Sequence, residues 1–206
     1  MYKYLIFDVD GTILDTETAI LTSLQEVLAA EGREYSFEDL RFALGIPGKE
    51  ALRRLNLTDT ERIHSNWAQT ILSYSQEVNI FTGLEETLQK LSKKPVTLGI
   101  VTSKTRQELE DEFNSYGLNS FFQSIVSADD TERHKPHPDP LFACLADLEA
   151  PQNETIYIGD SIYDMQSAKK AGLPFALALW GAKTTENFAS ADYILETPTD
   201  ILSLLE

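Results

Sequence analysis

The stretch that decides the fold of this 206-residue chain is YLIFDVDGT, residues 4–12. Its first part is apolar and aromatic, which predicts a short buried β-strand that ends at Phe7. Asp8 and Asp10 follow, and residues two apart at a strand end address the same region. Gly11 lets the backbone turn tightly and come close to a ligand. Acids and glycine are also common at solvated strand ends, so the rest of the chain must decide between these interpretations.

Three later apolar runs end at polar residues in the same way, within residues 95–104, 124–130 and 155–160. Helical patterns at 106–116 and 161–171 lie between or after them, and each is followed by a glycine where a left-handed cap is expected. This alternation predicts an α/β fold, a Rossmann-like doubly wound parallel sheet with helices on both faces. In such a sheet the ligand site lies beyond the carboxyl ends of the strands, where these polar residues fall.

Residues 15–80 interrupt the alternation, because they show helical periodicity and no convincing strand. Helix starts are indicated near Ser36 and Thr58 by capping patterns. A crossover between parallel strands needs only about a dozen residues, and this segment is far longer. We therefore predict an inserted all-helical cap subdomain at 15–80, and a catalytic core formed by residues 1–14 and 81–206.

Composition restricts the classes of partner. The chain has 33 acidic and 17 basic residues and a formal net charge of -16, with no visible basic patch, which excludes nucleic acid and anionic membranes as favoured partners. The single cysteine, Cys144, cannot form an internal disulfide. No signal-peptide region and no stretch near about 18 apolar residues is present. These features predict a cytoplasmic protein.

A second acidic pair follows the apolar run that ends at residue 158. Asp160 is predicted to cap the next helix, with Asp164 one turn into it. In a parallel sheet these two acids converge with Asp8 and Asp10 on one pocket. Unit charges about 4 Å apart interact by roughly 4 kcal/mol at an effective dielectric near 20, so the cluster is strained or partly protonated unless a cation compensates. Mg²⁺ fits, because it takes few carboxylates and leaves room for water and a phosphate.

Two further residues complete a predicted phosphoryl-transfer site. Thr102 adds a hydroxyl at a strand end, and Lys135 adds a fixed positive charge within a proline-rich loop at 134–140. With charge repulsion offset by Mg²⁺ and Lys135, Asp8 would attack phosphorus and form an aspartyl-phosphate. Asp10 would protonate the departing oxygen and later take a proton from the attacking water.

These motifs, in this order, resemble those of the haloacid dehalogenase superfamily of phosphohydrolases. The resemblance rests on DVDGT at 8–12, Thr102, Lys135 and GDSIYD at 159–164, which together span most of the chain. The lysine-proline loop is similar to that of the phosphoglycolate phosphatase-like branch, and the helical insertion matches the family's mobile cap.

The resemblance implies a specific set of roles. Mg²⁺ would be held by the Asp8 carboxylate, the Asp10 backbone carbonyl and Asp160, with Asp164 as a further ligand or a neighbour of the ligands. The phosphoryl group would be bound by Gly11, Thr102, Ser103 and Lys135. Lys49, in a loop that faces the active site in similar proteins, would contact the leaving group. The implied substrate is a small phosphorylated metabolite, with phosphoglycolate ahead of sugar phosphates and pyrophosphate.

Two alternatives remain open at this point. One is a phosphomutase resembling β-phosphoglucomutase, although such mutases carry Glu-Asp where this chain has Gly159-Asp160. The other is a non-catalytic Mg²⁺- and phosphate-sensing domain similar to a receiver domain. The insertion and the second acid, Asp10, favour an enzyme, and Asp10 also argues against a dehalogenase.

Overall fold

The computed structural model describes residues 1–205, and its core is a six-stranded parallel sheet. The strands in chain order are β1 (Tyr4–Phe7), β2 (Leu14–Asp15), β3 (Asn79–Ile80), β4 (Thr97–Val101), β5 (Ser124–Val126), β6 (Thr155–Gly159), β7 (Phe175–Ala178) and β8 (Tyr193–Leu195). The sheet order is β5-β4-β1-β6-β7-β8, and β2 pairs with β3 in a separate antiparallel ribbon. This arrangement confirms the predicted Rossmann-like α/β sheet.

Helices lie on both faces of the sheet and in the segment between β2 and β3. The helices in chain order are α1 (Glu17–Ala30), α2 (Phe37–Leu40), α3 (Gly48–Arg54), α4 (Thr60–Leu72), α5 (Leu84–Leu91), α6 (Arg106–Glu112), α7 (Asp139–Asp147), α8 (Ile162–Ala171) and α9 (Leu179–Ala182). Short 3-10 segments occur at Arg41–Ala43, Ser75–Glu77, Asn114–Tyr116, Asn119–Phe121, Ala128–Asp130, Gln152–Glu154 and Pro198–Leu205. Within residues 1–205, no helix combines the length and the apolar character needed to cross a membrane.

Strand β1 lies at the centre of the sheet between β4 and β6. Phe7 is in register with Ile100 on one side and Ile158 on the other, and all three side chains are fully buried. Burial of one such side chain stabilises the fold by about 1.5–3 kcal/mol. The shared register brings the carboxyl ends of three strands together, so the residues that follow them form one edge.

The segment between β2 and β3 has a hydrophobic core of its own. Side chains of α1, α3 and α4, among them Leu24, Leu52 and Trp67, pack in a cluster separate from the two clusters that cover the sheet. The indole N–H of Trp67 donates to the Ser23 hydroxyl at 2.9 Å, which satisfies the one polar atom of that buried ring. The segment thus packs as a unit that joins the rest of the chain through the β2–β3 ribbon.

Three local predictions were wrong. Residues 15–80 were expected to lack strands, but β2 and β3 pair across their base, a contact between distant residues that no local periodicity can indicate. Helix α4 begins at Thr60, two residues after the predicted start, and Asp59 occupies the cap position without a side-chain cap hydrogen bond. The helix predicted at 106–116 ends at Glu112, and a 3-10 turn continues to Tyr116.

Candidate active site

Asp8 and Lys135 form a buried ion pair at the carboxyl end of β1. Lys135 Nζ lies 2.9 Å from Asp8 Oδ1 and 2.8 Å from Asp164 Oδ1, and all three side chains are at most 2% exposed. Burial and then the neighbouring Asp164 raise the pKa of Asp8 to about 8, and Lys135 opposes this. Burial alone would lower the pKa of Lys135, but the carboxylates of Asp164 and Asp8 hold this pKa above its usual value. The lysine is therefore a permanent cation beside Asp8.

Asp160 lies against the turn that follows β1. Its Oδ1 accepts a hydrogen bond from the Thr12 hydroxyl at 3.1 Å. Burial, followed by repulsion from Asp164 and Asp8, raises the pKa of Asp160 well above its usual value. The prediction that Asp160 caps the next helix was wrong, because Ser161 is the capping residue and leaves the Asp160 carboxylate directed at this turn.

Asp164 has both carboxylate oxygens engaged. Oδ2 accepts from the backbone N–H and the hydroxyl of Ser161, which completes the capping box of α8. Oδ1 accepts from Lys135 and from the Tyr157 hydroxyl, each at 2.8 Å. Although burial alone would raise it, Lys135 holds the pKa of Asp164 below its usual value. Asp164 is thus an anion that positions Lys135.

Asp8, Asp160 and Asp164 each bring a carboxylate oxygen within 4.8 Å of the others. Raised pKa values at Asp8 and Asp160 show that the two carboxylates are under-compensated, even with Lys135 nearby. Hard oxygen donors with excess negative charge suit a divalent cation such as Mg²⁺. The donor set therefore fits such an ion at Asp8 and Asp160, with Asp164 committed to its bonds to Lys135, Tyr157 and Ser161.

Sequence reasoning did not find Lys104, which is buried beside Asp10. Lys104 Nζ lies 3.1 Å from Asp10 Oδ1 and 2.7 Å from Glu112 Oε2, although the Asp10 oxygen is not aligned for a hydrogen bond. Although burial alone would lower it, Asp10 and Glu112 hold the pKa of Lys104 above its usual value. Its position two residues after Thr102, at the end of β4, was the signal that could have identified it.

Two other predicted site residues, Thr102 and Ser103, follow strand β4. The Thr102 hydroxyl accepts from the Lys104 N–H at 3.2 Å. Ser103 lines the cavity that Asp8 and Asp10 also line, and its hydroxyl donates to the Gly45 carbonyl in the helical insertion at 3.0 Å. The contribution of both residues to phosphate binding stays a prediction from the sequence.

The structure does not bring Lys49 to that cavity. Its ammonium group forms an exposed ion pair with Glu61 Oε2 at 2.6 Å, and the residue lines a neighbouring groove together with Lys135. The predicted contact between Lys49 and the leaving group stays a prediction.

Gly11 closes the turn beside Asp160 with a positive φ of 74°. A Cβ atom there would overlap the Asp160 carboxylate. Gly11→Ala is therefore expected to lower the free energy of unfolding by the cost of a left-handed residue, about 1–2 kcal/mol, and by a further 1–3 kcal/mol or so for overpacking. Urea denaturation measures the loss.

Gly32→Ala is the matched control for this substitution. Gly32 has a φ of 73°, and a Cβ atom there would meet nothing within 4 Å. Gly32→Ala should therefore lower the free energy of unfolding only by the cost of the left-handed conformation, about 1–2 kcal/mol. Equal losses in the two variants would contradict a close approach of Gly11 to Asp160.

Comparisons with known proteins found similar proteins over nearly the whole chain. The family described as haloacid dehalogenase-like hydrolase matches residues 5–178. Pyrophosphatase PpaX of Anoxybacillus flavithermus is 32% identical over 209 residues, which cover 98% of this chain and 95% of that protein. PpaX of Oceanobacillus iheyensis is 28% identical over 206 residues, 98% of this chain and 96% of that one. The crystal structure of a candidate phosphoglycolate phosphatase from Lactobacillus plantarum superposes with a TM-score of 0.91, at 30% identity and 99% coverage of both chains.

Proposed function

The chain belongs to the haloacid dehalogenase-like hydrolase family and is a phosphatase, and we propose that it hydrolyses a small phosphorylated metabolite through an aspartyl-phosphate on Asp8, with Mg²⁺ as cofactor. The observation that carries this proposal is the buried contact between Asp8 and Lys135, at 2.9 Å, at the edge of a cavity that Asp10 also lines. A nucleophile, a fixed cation and a second acid two residues away are what a two-step phosphoryl transfer requires.

Each of these side chains has a distinct task. Lys135 offsets the repulsion between the Asp8 carboxylate and the anionic phosphoryl oxygens, and Asp164 holds the lysine in place by accepting its hydrogen bond. Asp10 protonates the departing oxygen, then takes a proton from the water that hydrolyses the aspartyl-phosphate. Thr102, Ser103 and the backbone at Gly11 bind the phosphoryl oxygens.

Mg²⁺ would be held by the Asp8 carboxylate, the Asp10 carbonyl and Asp160. When bound, it supplies positive charge that lowers the pKa of nearby carboxylates and stabilises charge on the phosphoryl group. Burial and the neighbouring Asp164 raise the pKa of Asp8 to about 8, which supports this assignment, since an anionic nucleophile at neutral pH needs more compensation than Lys135 alone provides.

Residues 15–80 act as the cap over this site, and residues 1–14 and 81–206 form the catalytic core. The separate hydrophobic cluster of the insertion supports that division. Polar contacts join the insertion to the core beside the cavity. Among them, Ser103 donates to the Gly45 carbonyl at 3.0 Å, the Tyr163 hydroxyl donates to the Phe42 carbonyl at 3.2 Å, and His64 Nε2 lies 3.3 Å from Glu108 Oε1. Breaking and remaking them lets substrate enter and then excludes water.

Hydrolysis is favoured over phosphomutase activity by the residue before Asp160. A Cβ atom at Gly159 would come within 2.7 Å of the Asp164 side chain. The glutamate that mutases carry at this place would therefore displace the partner of Lys135. The relatives add pyrophosphate and phosphoglycolate as substrates to test first, and phosphoglycolate remains the prediction from sequence.

Chelation should abolish phosphate release, and Mg²⁺ should restore it. Mg²⁺ should also raise the melting temperature, since a ligand at a hundredfold excess over its Kd stabilises the native state by about 2.7 kcal/mol. Because the pKa values of Asp8 and Asp160 are raised, protons compete with the metal, and the Mg²⁺-induced shift should shrink as the pH falls from about 8 to about 6. Differential scanning calorimetry with and without chelator measures this.

Asp160→Asn tests the metal assignment directly. The variant should lose the thermal response to Mg²⁺, and in metal-free buffer it should melt higher than the wild type, because a buried charge under repulsion is removed. Asp111→Asn, an exposed acid on α6, should behave as the wild type. Full activity in excess chelator, or an unchanged Mg²⁺ response in Asp160→Asn, would contradict the proposed cofactor site.

A further inference from the structure

The cavity above Asp8 and Asp10 has an apolar wall and an acidic wall. Its volume is about 60 Å³. The apolar wall is supplied by the insertion, through Ile20, Ala43, Ile46, Trp67, Ala68 and Ile71. The acidic wall is supplied by the core, through Glu108 and Glu112 of α6 and the ammonium group of Lys104. Because Asp8 and Asp10 also line this cavity, the leaving group of a substrate attacked by Asp8 meets these two walls.

Each lining side chain that carries a donor group already has a partner within the protein. Lys104 is shared between Asp10 and Glu112, with its ammonium nitrogen 3.1 and 2.7 Å from their oxygens. The Trp67 indole donates to Ser23, and the Ser103 hydroxyl donates to the Gly45 carbonyl. Among the described residues that line the cavity, Lys104 carries the only ammonium or guanidinium group. An anionic leaving group would therefore meet a cation that is already paired with two carboxylates.

The acceptors, by contrast, are in excess. Burial alone would raise the pKa of Glu108. The hydrogen bond from His64 and the charge of Lys104 outweigh burial and hold this pKa at about 2, so Glu108 is an anion at neutral pH. Within residues 1–205 no side-chain or backbone donor is bonded to the Glu112 Oε1 atom, whereas Oε2 accepts from Lys104. Whether ionised or protonated, Glu112 supplies no positive charge to an anion.

We propose that the substrate is a phosphate monoester whose leaving alcohol is uncharged or cationic and partly apolar, with Glu112 as the residue that selects against negative charge. This inference rests on the proposed function, because it concerns the leaving group of the same reaction. It separates this chain from relatives named as pyrophosphatases, since the second phosphate of pyrophosphate, like the carboxylate of phosphoglycolate, would lie against Glu108 and Glu112. A polar or cationic end of the alcohol would instead bind the open oxygen of Glu112, and its carbon atoms would pack on Trp67 and Ile71.

Three nearly isosteric substrates isolate the charge at one position. They are 2-phosphoglycolate, 2-hydroxyethyl phosphate and O-phosphoethanolamine, which carry a carboxylate, a hydroxyl and an ammonium group on the same short chain. With Mg²⁺ present, kcat/KM from phosphate release should be at least about tenfold higher for the second and third compounds than for the first. Pyrophosphate should rank with phosphoglycolate.

Glu112→Gln should change this order in a defined direction. It removes one carboxylate and releases Lys104 from one of its two partners, so kcat/KM for phosphoglycolate should rise relative to O-phosphoethanolamine by about tenfold. Glu110→Gln is the matched control, because Glu110 is an exposed acid on the same helix and does not line the cavity. Its substrate order should be that of the wild type.

Binding provides a readout that does not depend on turnover. The Kd values of the three compounds for the Asp8→Asn variant, measured by calorimetry, should follow the same order. A preference for phosphoglycolate or pyrophosphate in both experiments would overturn the proposal. The leaving group would then be assigned to the groove lined by Lys49 and Lys135. Absence of turnover with every compound, p-nitrophenyl phosphate included, would contradict the proposed function, and the Kd order would still decide the charge preference.

Discussion

Asp8→Asn is expected to abolish turnover and to leave the fold intact. An amide has nearly the volume of the carboxylate and can accept the same hydrogen bond, which the Val9 N–H donates to Asp8 Oδ1 at 2.8 Å. It cannot attack phosphorus, so kcat should fall by at least about three factors of ten, the scale seen when a covalent step is lost. Stopped assays with p-nitrophenyl phosphate at high enzyme concentration measure the residual rate.

Stability measurements separate this loss from a loss of structure. Burial and repulsion by Asp164 raise the pKa of Asp8 to about 8, so removal of its charge should leave the metal-free melting temperature unchanged or higher. Mg²⁺ should stabilise the variant less than the wild type, because one ligand is weakened. Turnover of Asp8→Asn within tenfold of the wild type would contradict its assignment as nucleophile.

Lys135→Met is expected to remove both activity and much of the stability. The methionine fills a similar volume but leaves the buried carboxylates of Asp8 and Asp164 without their cation. Loss of one partner from a buried ion pair costs about 3–5 kcal/mol, because the remaining charge is uncompensated. Phosphate release should fall by several factors of ten, since the nucleophile would no longer be shielded from the phosphoryl oxygens.

The pH dependence of that stability loss identifies its cause. The pKa of Asp164 is lowered in the folded protein, so its pairing with Lys135 stabilises the wild type above about pH 4 and is lost as the pH falls further. The difference between Lys135→Met and the wild type in urea denaturation should thus be largest near neutral pH and should shrink as the pH falls below about 4. A constant difference would indicate lost packing and not lost charge.

Lys169→Met is the matched control for this effect. Lys169 pairs with Asp192 at 2.7 Å, a distance similar to that in the Lys135 pairs, but both side chains are about 40% exposed. Exposed pairs contribute about 0–1 kcal/mol, so the control should melt close to the wild type and keep full activity. A comparable loss in both variants would mean that burial is not what makes Lys135 important.

Local sequence signals predicted the sheet because each strand is a short apolar run that ends at polar residues. The same reasoning located helix α8 and the left-handed Gly172 that ends it, because both are local features, but it assigned the cap to Asp160 and not to Ser161. It failed for β2 and β3, which have two residues each and pair only because the chain returns to the same place. A strand of that length carries no periodicity.

Some site residues could likewise be predicted from local sequence, whereas others depend on contacts between distant parts of the chain. Asp8 and Lys135 stood out because a strand-end acid and a loop lysine recur in ordered motifs. Lys104 was missed, since its importance arises from the side chains of Asp10 and Glu112, which reach it from two other parts of the chain. Lys49 was placed near the leaving group by loop similarity alone, and only the packing of α3 against α4 brings it to Glu61.

The sequence by itself determined the class of fold, the order of the motifs and the phosphoryl-transfer chemistry, because these follow from residue types and short-range spacing. The tertiary structure decided which carboxylates are compensated and which are not. Asp164 is bonded to Lys135, whereas no basic side chain within residues 1–205 forms an ion pair with Asp160, although both acids lie in one short motif. It also decided the character of the cavity, where α6 presents Glu108 and Glu112 to the apolar wall of the insertion. Electrostatic energies depend on distance and burial, and neither is written in the order of residues.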